Sequence, residues 1–242
     1  MTYSNELLEA IGAWQNGWAE DAPRRMAVTG RLISTIASAS LPEAARRVEG
    51  VCYRKRFLVP HNPQNGGDFW RLILNGRIDE GVASWTTDLN LAKSFKGATR
   101  EGNTSAIFAH APKAEEVVLN IKALWEDPAF RMAAQKYVDQ KLSCGSALAN
   151  FKDLQSEVIL DAPLLFDEVE SFCDRASTLD RLHDIAKVTT EQQEEEFWQL
   201  MVKADTYPGD PHWLSREASG RALANIRATF IERLRTLGVL AR

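Results

Sequence analysis

Cysteine is scarce. Cys52, Cys144 and Cys173 are the three in 242 residues, they lie far apart, and no pair has C-x-x-C spacing. An odd count at such spacing argues against a disulfide framework and a structural zinc site, and fits reduced thiols. Histidine is nearly as sparse: His61, His110, His183 and His212 form no H-E-x-x-H or comparable ligand set, so no metal is expected. No run approaches the ~18 apolar residues that a spanning helix needs, so no membrane is expected as a partner. The opening MTYSNELLEA lacks the basic region and apolar core of a signal peptide, and the expected location is cytoplasmic. Low-complexity tracts and internal repeats are also missing.

Neither sign of charge dominates: 29 Lys/Arg stand against 33 Asp/Glu, a net −4. The distribution is uneven. Residues 1–49 carry 5 basic and 6 acidic side chains, residues 50–157 carry 14 and 12, and residues 158–242 carry 10 and 15. A middle of +2 can hold an anionic ligand such as a dinucleotide. An acidic chain grips long nucleic acid poorly, which leaves contact with a short single-stranded segment open. With 45% hydrophobic and 26% charged residues, the chain reads as globular, and its length suits a single domain over 1–242.

The expected organisation is α+β: a helical segment over 1–49, a β-rich core over 50–160 and a helical segment over 161–242. Leu7, Leu8, Ile11 and Trp14 share one face at helical spacing. Asp21 and Pro23 start a second helix, whose apolar face continues through Met26, Leu32, Ile33 and Ile36. Ser40 and Glu43 have capping-box spacing for a third helix over 41–48, ended by Gly50. Residues 51–57 alternate as a strand, with Val51, Tyr53 and Phe57 on one face. His61–Gly67 reads as a loop. Asp68–Asn75 reads as a helix stopped by Gly76, and Val82–Thr86 as a strand. Asp88 caps a short helix through Phe95, and Gly97–Asn103 is a polar loop. Strands follow at Thr104–Ala109 and Val117–Ile121, then a helix over Pro128–Leu142 capped by Asp127. Ser143–Asp153 reads as a loop carrying Phe151, and Leu154–Leu160 as a strand. From Leu164 onward the pattern is helical, broken at Tyr207–Pro211, with a last helix starting near Ser215 and carrying Leu223, Ile226, Phe230 and Leu234.

Three pieces of the middle segment stand out. The first is Tyr53-Arg54 on the first strand. The second is Gly81-Val82-Ala83-Ser84-Trp85-Thr86-Thr87-Asp88, followed by Leu91-Ala92-Lys93-Ser94-Phe95. The third is Leu154-Gln155-Ser156-Glu157-Val158-Ile159-Leu160. In order and separation they resemble the ADP-ribosyltransferase family whose signature is an Arg, a Ser-x-Ser/Thr and a Gln-x-Glu, of the class typified by cholera and clostridial toxins. Leu74-Asn75-Gly76-Arg77-Ile78 is also similar to the family's approach to its serine strand. The resemblance covers roughly Gly50 to Leu160. It departs from the family pattern at Thr86, where many members have Ser, and at Trp85, which is bulkier than the Thr often found there.

The resemblance implies two packed, mainly antiparallel sheets around an NAD cleft. It implies an NAD-consuming glycosyltransferase with NAD as substrate and no metal. Cleaving nicotinamide from NAD develops positive charge on the ribose, and a carboxylate there stabilises that charge as it forms. Glu157 takes this role, and Ser84 holds it in place. Arg54 binds pyrophosphate or the neighbouring ribose, as a guanidinium matches phosphate oxygens in a forked geometry. Tyr53, Trp85, Thr86 and Phe95 complete the cofactor contacts. Gln155 addresses the acceptor from the same strand face as Glu157, and Phe151 is a further acceptor contact.

Plainer readings stand beside these. Arg54-Lys55-Arg56 is also what a solvated strand edge looks like, and Ser84 and Thr86 suit polar positions of a half-buried strand. Trp85, Phe95 and Phe151 suit a core. Glu157 is harder to place, because an acid inside an apolar strand needs a reason. Cys144 lies in Ser143-Cys144-Gly145-Ser146, but no matched histidine with an orienting acid accompanies it, which argues against a cysteine hydrolase.

In the family, Glu-x-Glu goes with arginine acceptors. An amide at Gln155 both donates and accepts, which suits another amide or a base edge. The leading expectation is therefore a mono-ADP-ribosyltransferase acting on a nucleobase in RNA or DNA, an intracellular toxin of a toxin–antitoxin or phage-defence system with an antitoxin as partner. Transfer to Asn, Gln or Thr of a protein comes next, then NAD glycohydrolysis, then a non-catalytic binding module.

Overall fold

The computed structural model describes residues 3–18, 21–60, 67–99, 103–152, 154–175, 183, 186–203 and 211–238. In chain order the elements begin with α1 (Asn5–Asn16), α2 (Ala22–Ser38), β1 (Cys52–Leu58), α3 (Asp68–Asn75), β2 (Arg77–Ile78), β3 (Val82–Thr86) and α4 (Leu89–Ser94). The middle supplies β4 (Thr104–His110), β5 (Val117–Asn120), α5 (Ile121–Glu126), α6 (Pro128–Asp139), α7 (Gly145–Phe151) and β6 (Glu157–Asp161). The chain continues through β7 (Leu164–Leu165), β8 (Val169–Arg175), α8 (Glu191–Lys203), β9 (Pro211–Trp213) and α9 (Arg216–Thr236). Helices and antiparallel strand pairs are mixed, so the class is α+β.

Two compact units are present. One comprises Met1–Arg54, Ile78–Ala92 and Ala109–Leu164; the other comprises Lys55–Arg77, Lys93–Phe108 and Leu165–Arg242. In the first, the strand order is β5-β6-β3-β1. Register is set by Tyr53 opposite Thr86, Thr86 opposite Glu157, and Ser84 opposite Ile159. Leu119 and Ile159 carry the sheet's apolar side into a core shared with Leu7, Leu8, Ile11 and Trp14 of α1, Leu32 and Ile36 of α2, and Phe130 and Tyr137 of α6.

Local chemistry starts these helices. Ser4 Oγ accepts from the Leu7 amide at the head of α1, and Asp21 accepts from Arg24 at the head of α2. Asp127 caps α6 through the Ala129 amide, with Pro128 at its first position, and its other oxygen accepts from the Tyr3 hydroxyl at 2.5 Å. Gly12 matters for packing: a Cβ there would sit 2.5 Å from the Cys144 carbonyl oxygen, so α1 and α7 approach as closely as they do only because that side chain is missing.

In the second unit, β8 pairs with β4 and with β9. The head of α9 is tied to this sheet: Ser219 Oγ accepts from the Phe172 amide, and Ser171 Oγ donates to the Leu214 carbonyl. Phe230 of α9 stacks on Trp70 of α3 with ring centroids 4.2 Å apart. Ser215 caps α9 as its sequence indicates, and Gly76 ends α3 in the left-handed conformation.

Several expectations are corrected. On α2, Leu32 and Ile36 are buried, but Met26 is 70% and Ile33 43% exposed, so the buried stripe is narrower than the apolar one. The third helix is a single 3-10 turn over Glu43–Arg46 without a side-chain cap; so short a segment gains too few internal bonds to propagate. The buried positions of β1 are Cys52 and Leu58, while Tyr53 and Phe57 are half-buried and Val51 is exposed. The strand at Val117 stops at Asn120, whose side chain caps an unanticipated helix, α5. Residues 145–151 form α7 instead of a loop. No side chain caps it, and buried Ala147 and Leu148 hold it in place. The strand expected from Leu154 begins only at Glu157, because Leu154 and Gln155 lie in a turn and Ser156 has a φ of 43°. Residues 164–175 hold β7, a 3-10 turn and β8 where helix was expected. Buried Val169, Ser171, Phe172 and Cys173 are a strand buried on both faces, without clean alternation. Residues 61–66 and 100–102 of the expected loops, and 207–210 of the helix break, lie outside the described residues.

Candidate active site

The three motif pieces meet on adjacent antiparallel strands of the first unit, with Arg54 on β1, Ser84 on β3 and Glu157 at the first position of β6. Thr86 lies directly opposite Glu157, and Ser84 is its diagonal neighbour. That offset lets the Ser84 hydroxyl donate to Glu157 Oε1 at 2.5 Å. Glu157 is 3% exposed, and a carboxylate so far from water needs donors to offset its lost hydration.

The remaining donors come from α1. Trp14 Nε1–H is shared between Ser84 Oγ at 2.9 Å and Glu157 Oε1 at 3.0 Å. Gln15 Nε2 donates to Glu157 Oε2 at 3.2 Å. The carboxylate thus has one oxygen fixed by a serine and an indole, and the other met by an amide. Because an ionised carboxylate only accepts, this contact also sets which way the Gln15 amide points: its Nε2 faces Glu157, and its Oε1 is a buried acceptor without a partner among the described residues.

Arg54 lies opposite Trp85 in the register, so it meets Ser84 through the backbone. Its Nη1 donates to the Ser84 carbonyl at 2.6 Å, and its Nη2 pairs with Glu80 Oε1. Glu80 is almost fully buried, and Arg25 of α2 adds a second cation 4.0 Å away while donating to the Glu80 and Val82 carbonyls. Arg54 Nε is buried and has no partner among the described residues. Both ends of the fork are therefore engaged with protein, and the inner N–H remains.

No family model, no curated protein and no solved structure matches this chain.

The other anticipated residues are distributed as follows. Thr86 Oγ1 donates to the Gln155 carbonyl at 2.7 Å and accepts from the Asp88 amide, so it pins the turn that precedes β6. Gln155 is half-buried in that turn. Without a strand at that position, the argument that it shares a face with Glu157 fails. Tyr53 is half-buried opposite Thr86. Trp85 is buried and inclined against His110, with ring centroids 5.7 Å apart, as a core aromatic would be. Phe151 is half-buried as the last residue of α7. Phe95 belongs to the second unit, is 45% exposed, and offers its carbonyl to Lys55 Nζ.

Sequence reasoning missed Trp14, Gln15, Glu80 and Arg25. Trp14 looked like core, which its ring is. Only its N–H carries the additional role, and spacing shows where a ring goes but not where its polar tip points.

Proposed function

We propose that the chain is an NAD-dependent mono-ADP-ribosyltransferase. The observation that carries this reading is the Ser84–Glu157 hydrogen bond across β3 and β6, with the Arg54 guanidinium on the neighbouring strand anchored to the Ser84 carbonyl. A serine that fixes a buried carboxylate on a strand is what an oxocarbenium-stabilising acid needs, since it must be aimed before the charge develops. The fold expected with this activity is a pair of packed antiparallel sheets around an NAD cleft.

In the reaction, the bond between ribose C1′ and the nicotinamide nitrogen breaks, and its electron pair leaves with nicotinamide. Glu157 stabilises the cationic ribose through the 2′-hydroxyl. The acceptor's lone pair then forms the new bond to C1′, and its proton passes to solvent. Arg54 reaches a pyrophosphate only by giving up its pairing with Glu80 or its bond to the Ser84 carbonyl, since its one uncommitted donor, Nε, is buried. The acceptor is a nucleobase in RNA or DNA, chosen on the donor–acceptor chemistry of the Gln155 amide. In this reading the protein is an intracellular toxin held in check by an antitoxin.

A second reading is NAD glycohydrolysis, with water as acceptor. It is favoured by Gln155 lying in the turn ahead of β6, away from the position where a strand would have aligned it with Glu157. One experiment separates the readings. NAD labelled in its adenylate half is incubated with cell extract and either wild type or Glu157→Ala, and the products are split with nuclease and protease. Nuclease-sensitive label that Glu157→Ala abolishes supports base modification, and protease-sensitive label supports a protein acceptor. Free ADP-ribose alone supports glycohydrolysis. If wild type consumes no NAD, the proposal fails.

A further inference from the structure

The two oxygens of Glu157 are held differently. Oε1 has the short bond from Ser84 and a second from the indole of Trp14, a residue packed into the core. Oε2 has one longer bond, from Gln15, which is half-buried next to the end of α1. The Oε1 of the Gln15 amide is buried without a partner among the described residues. A contact with one arm satisfied and one arm buried empty is the easiest of the three to give up. Just beyond it, α1 ends at Gly17, whose φ of 72° and open surroundings give the chain a natural pivot.

We infer that Gln15 is a clasp on the Glu157 carboxylate: it occupies Oε2 until a substrate hydroxyl displaces it. The working oxygen of Glu157 is then Oε2, and Oε1 serves only to aim the group. This rests on the reading of Glu157 as the acid that meets the ribose, and the displacing group is the ribose 2′-hydroxyl. An incoming hydroxyl gives Oε2 a donor in exchange for the amide, so the carboxylate never lacks one. Displacing a closed state reduces apparent affinity by the fraction of chains that are open. If removal of the clasp releases one hydrogen bond to a charged group, that fraction changes by about tenfold.

The test uses the full chain and two variants. Gln15→Ala removes both donor and cover, and Gln15→Met keeps the bulk without the donor. Initial rates of nicotinamide release across NAD concentrations should show KM falling about tenfold in Gln15→Ala and by less in Gln15→Met, with kcat within about twofold of wild type. A KM that rises or stays unchanged in Gln15→Ala would overturn the clasp, because a residue that binds substrate or only supports the fold moves KM the other way or not at all. A second readout needs no turnover: carbodiimide-driven amidation of Glu157 with glycine ethyl ester, followed by mass spectrometry. Labelling should be several-fold faster in Gln15→Ala than in wild type, with matching far-UV circular dichroism. Equal labelling rates overturn the clasp even if NAD is not the substrate. Faster labelling without nicotinamide release by any variant would instead sustain the clasp and overturn the assignment of NAD.

Discussion

Replacing Trp14 with phenylalanine keeps an aromatic ring in the core and removes the one N–H that bridges Ser84 Oγ and Glu157 Oε1. Two costs add. A hydrogen bond to an ionised group contributes about 1.5–3 kcal/mol, and the three ring atoms lost from a filled core contribute about 1–2 kcal/mol more. The expected destabilisation is therefore about 2.5–5 kcal/mol, a large share of what holds a domain of this size together. Urea denaturation followed by far-UV circular dichroism measures it. Packing alone would also give a deficit, so the decisive quantity is the coupling with Glu157→Gln in a double-mutant cycle. The amide keeps the shape of the acid and loses its charge, which should halve what the indole contributes. The two substitutions should then couple by about 0.75–1.5 kcal/mol. Additivity within about 0.5 kcal/mol, or a Trp14→Phe deficit below about 1 kcal/mol, would show that the indole merely fills space and that the donor cage around Glu157 is not what stabilises it.

Three further outcomes are expected. Gly12→Ala gains helix propensity, yet its Cβ meets the Cys144 carbonyl oxygen at 2.5 Å. A net loss of roughly 1–3 kcal/mol in urea is expected, and a gain would mean that α1 and α7 part easily. The Tyr3 hydroxyl, and next the Ala129 amide, hold the Asp127 carboxyl below its usual range, and burial together with Asp127 raises the Tyr3 hydroxyl above its own. Asp127 therefore contributes stability fully above about pH 4, where the unfolded group ionises, and loses it as pH falls through its lower folded value. Tyr3 works the other way, with stability lost as pH rises beyond about 10. The gap in Tm between wild type and Tyr3→Phe should be widest between these limits and narrow at both ends. A gap independent of pH would assign Tyr3 to packing alone. In labelled-NAD assays, Ser84→Ala should lower kcat while leaving KM within a few-fold. It removes the 2.5 Å bond that aims the acid without removing the acid, and an unchanged kcat would contradict the supporting role given to Ser84.

The elements that could be read in advance are those whose ends are marked by chemistry. Asp127 with Pro128, Ser215, Asp21 and Gly76 each announce a helix terminus, and the described helices begin or end there. β3 could be read because its buried Ala83 and Trp85 alternate with half-buried neighbours. What escaped was stabilised from a distance. α7 has no cap and exists because Leu148 is buried and Gly12 lets α1 come close. The start of β6 escaped because the left-handed residue before it is Ser156, where a glycine or asparagine would have signalled the break, and with that break the placement of Gln155 was lost. Of the candidate site, the grouping of Arg54, Ser84 and Glu157 on neighbouring strands was legible from their pattern along the sequence. Trp14 and Gln15 were not, because they come from a helix 143 and 142 residues away in sequence whose apolar spacing accounts for it as core alone.

That separation also sets the order in which the molecule can be completed. A ribosome has released α1 long before Glu157 exists, and the first unit is assembled from three stretches interrupted twice by the second. Contacts this distant in sequence require the entropy of closing the intervening chain to be met. The carboxylate and the helix that covers it can come together only once the chain has been extended through β6, and a nascent chain that ends between Ser84 and Glu157 carries the indole, the amide, the serine and the arginine with no acid for them to hold.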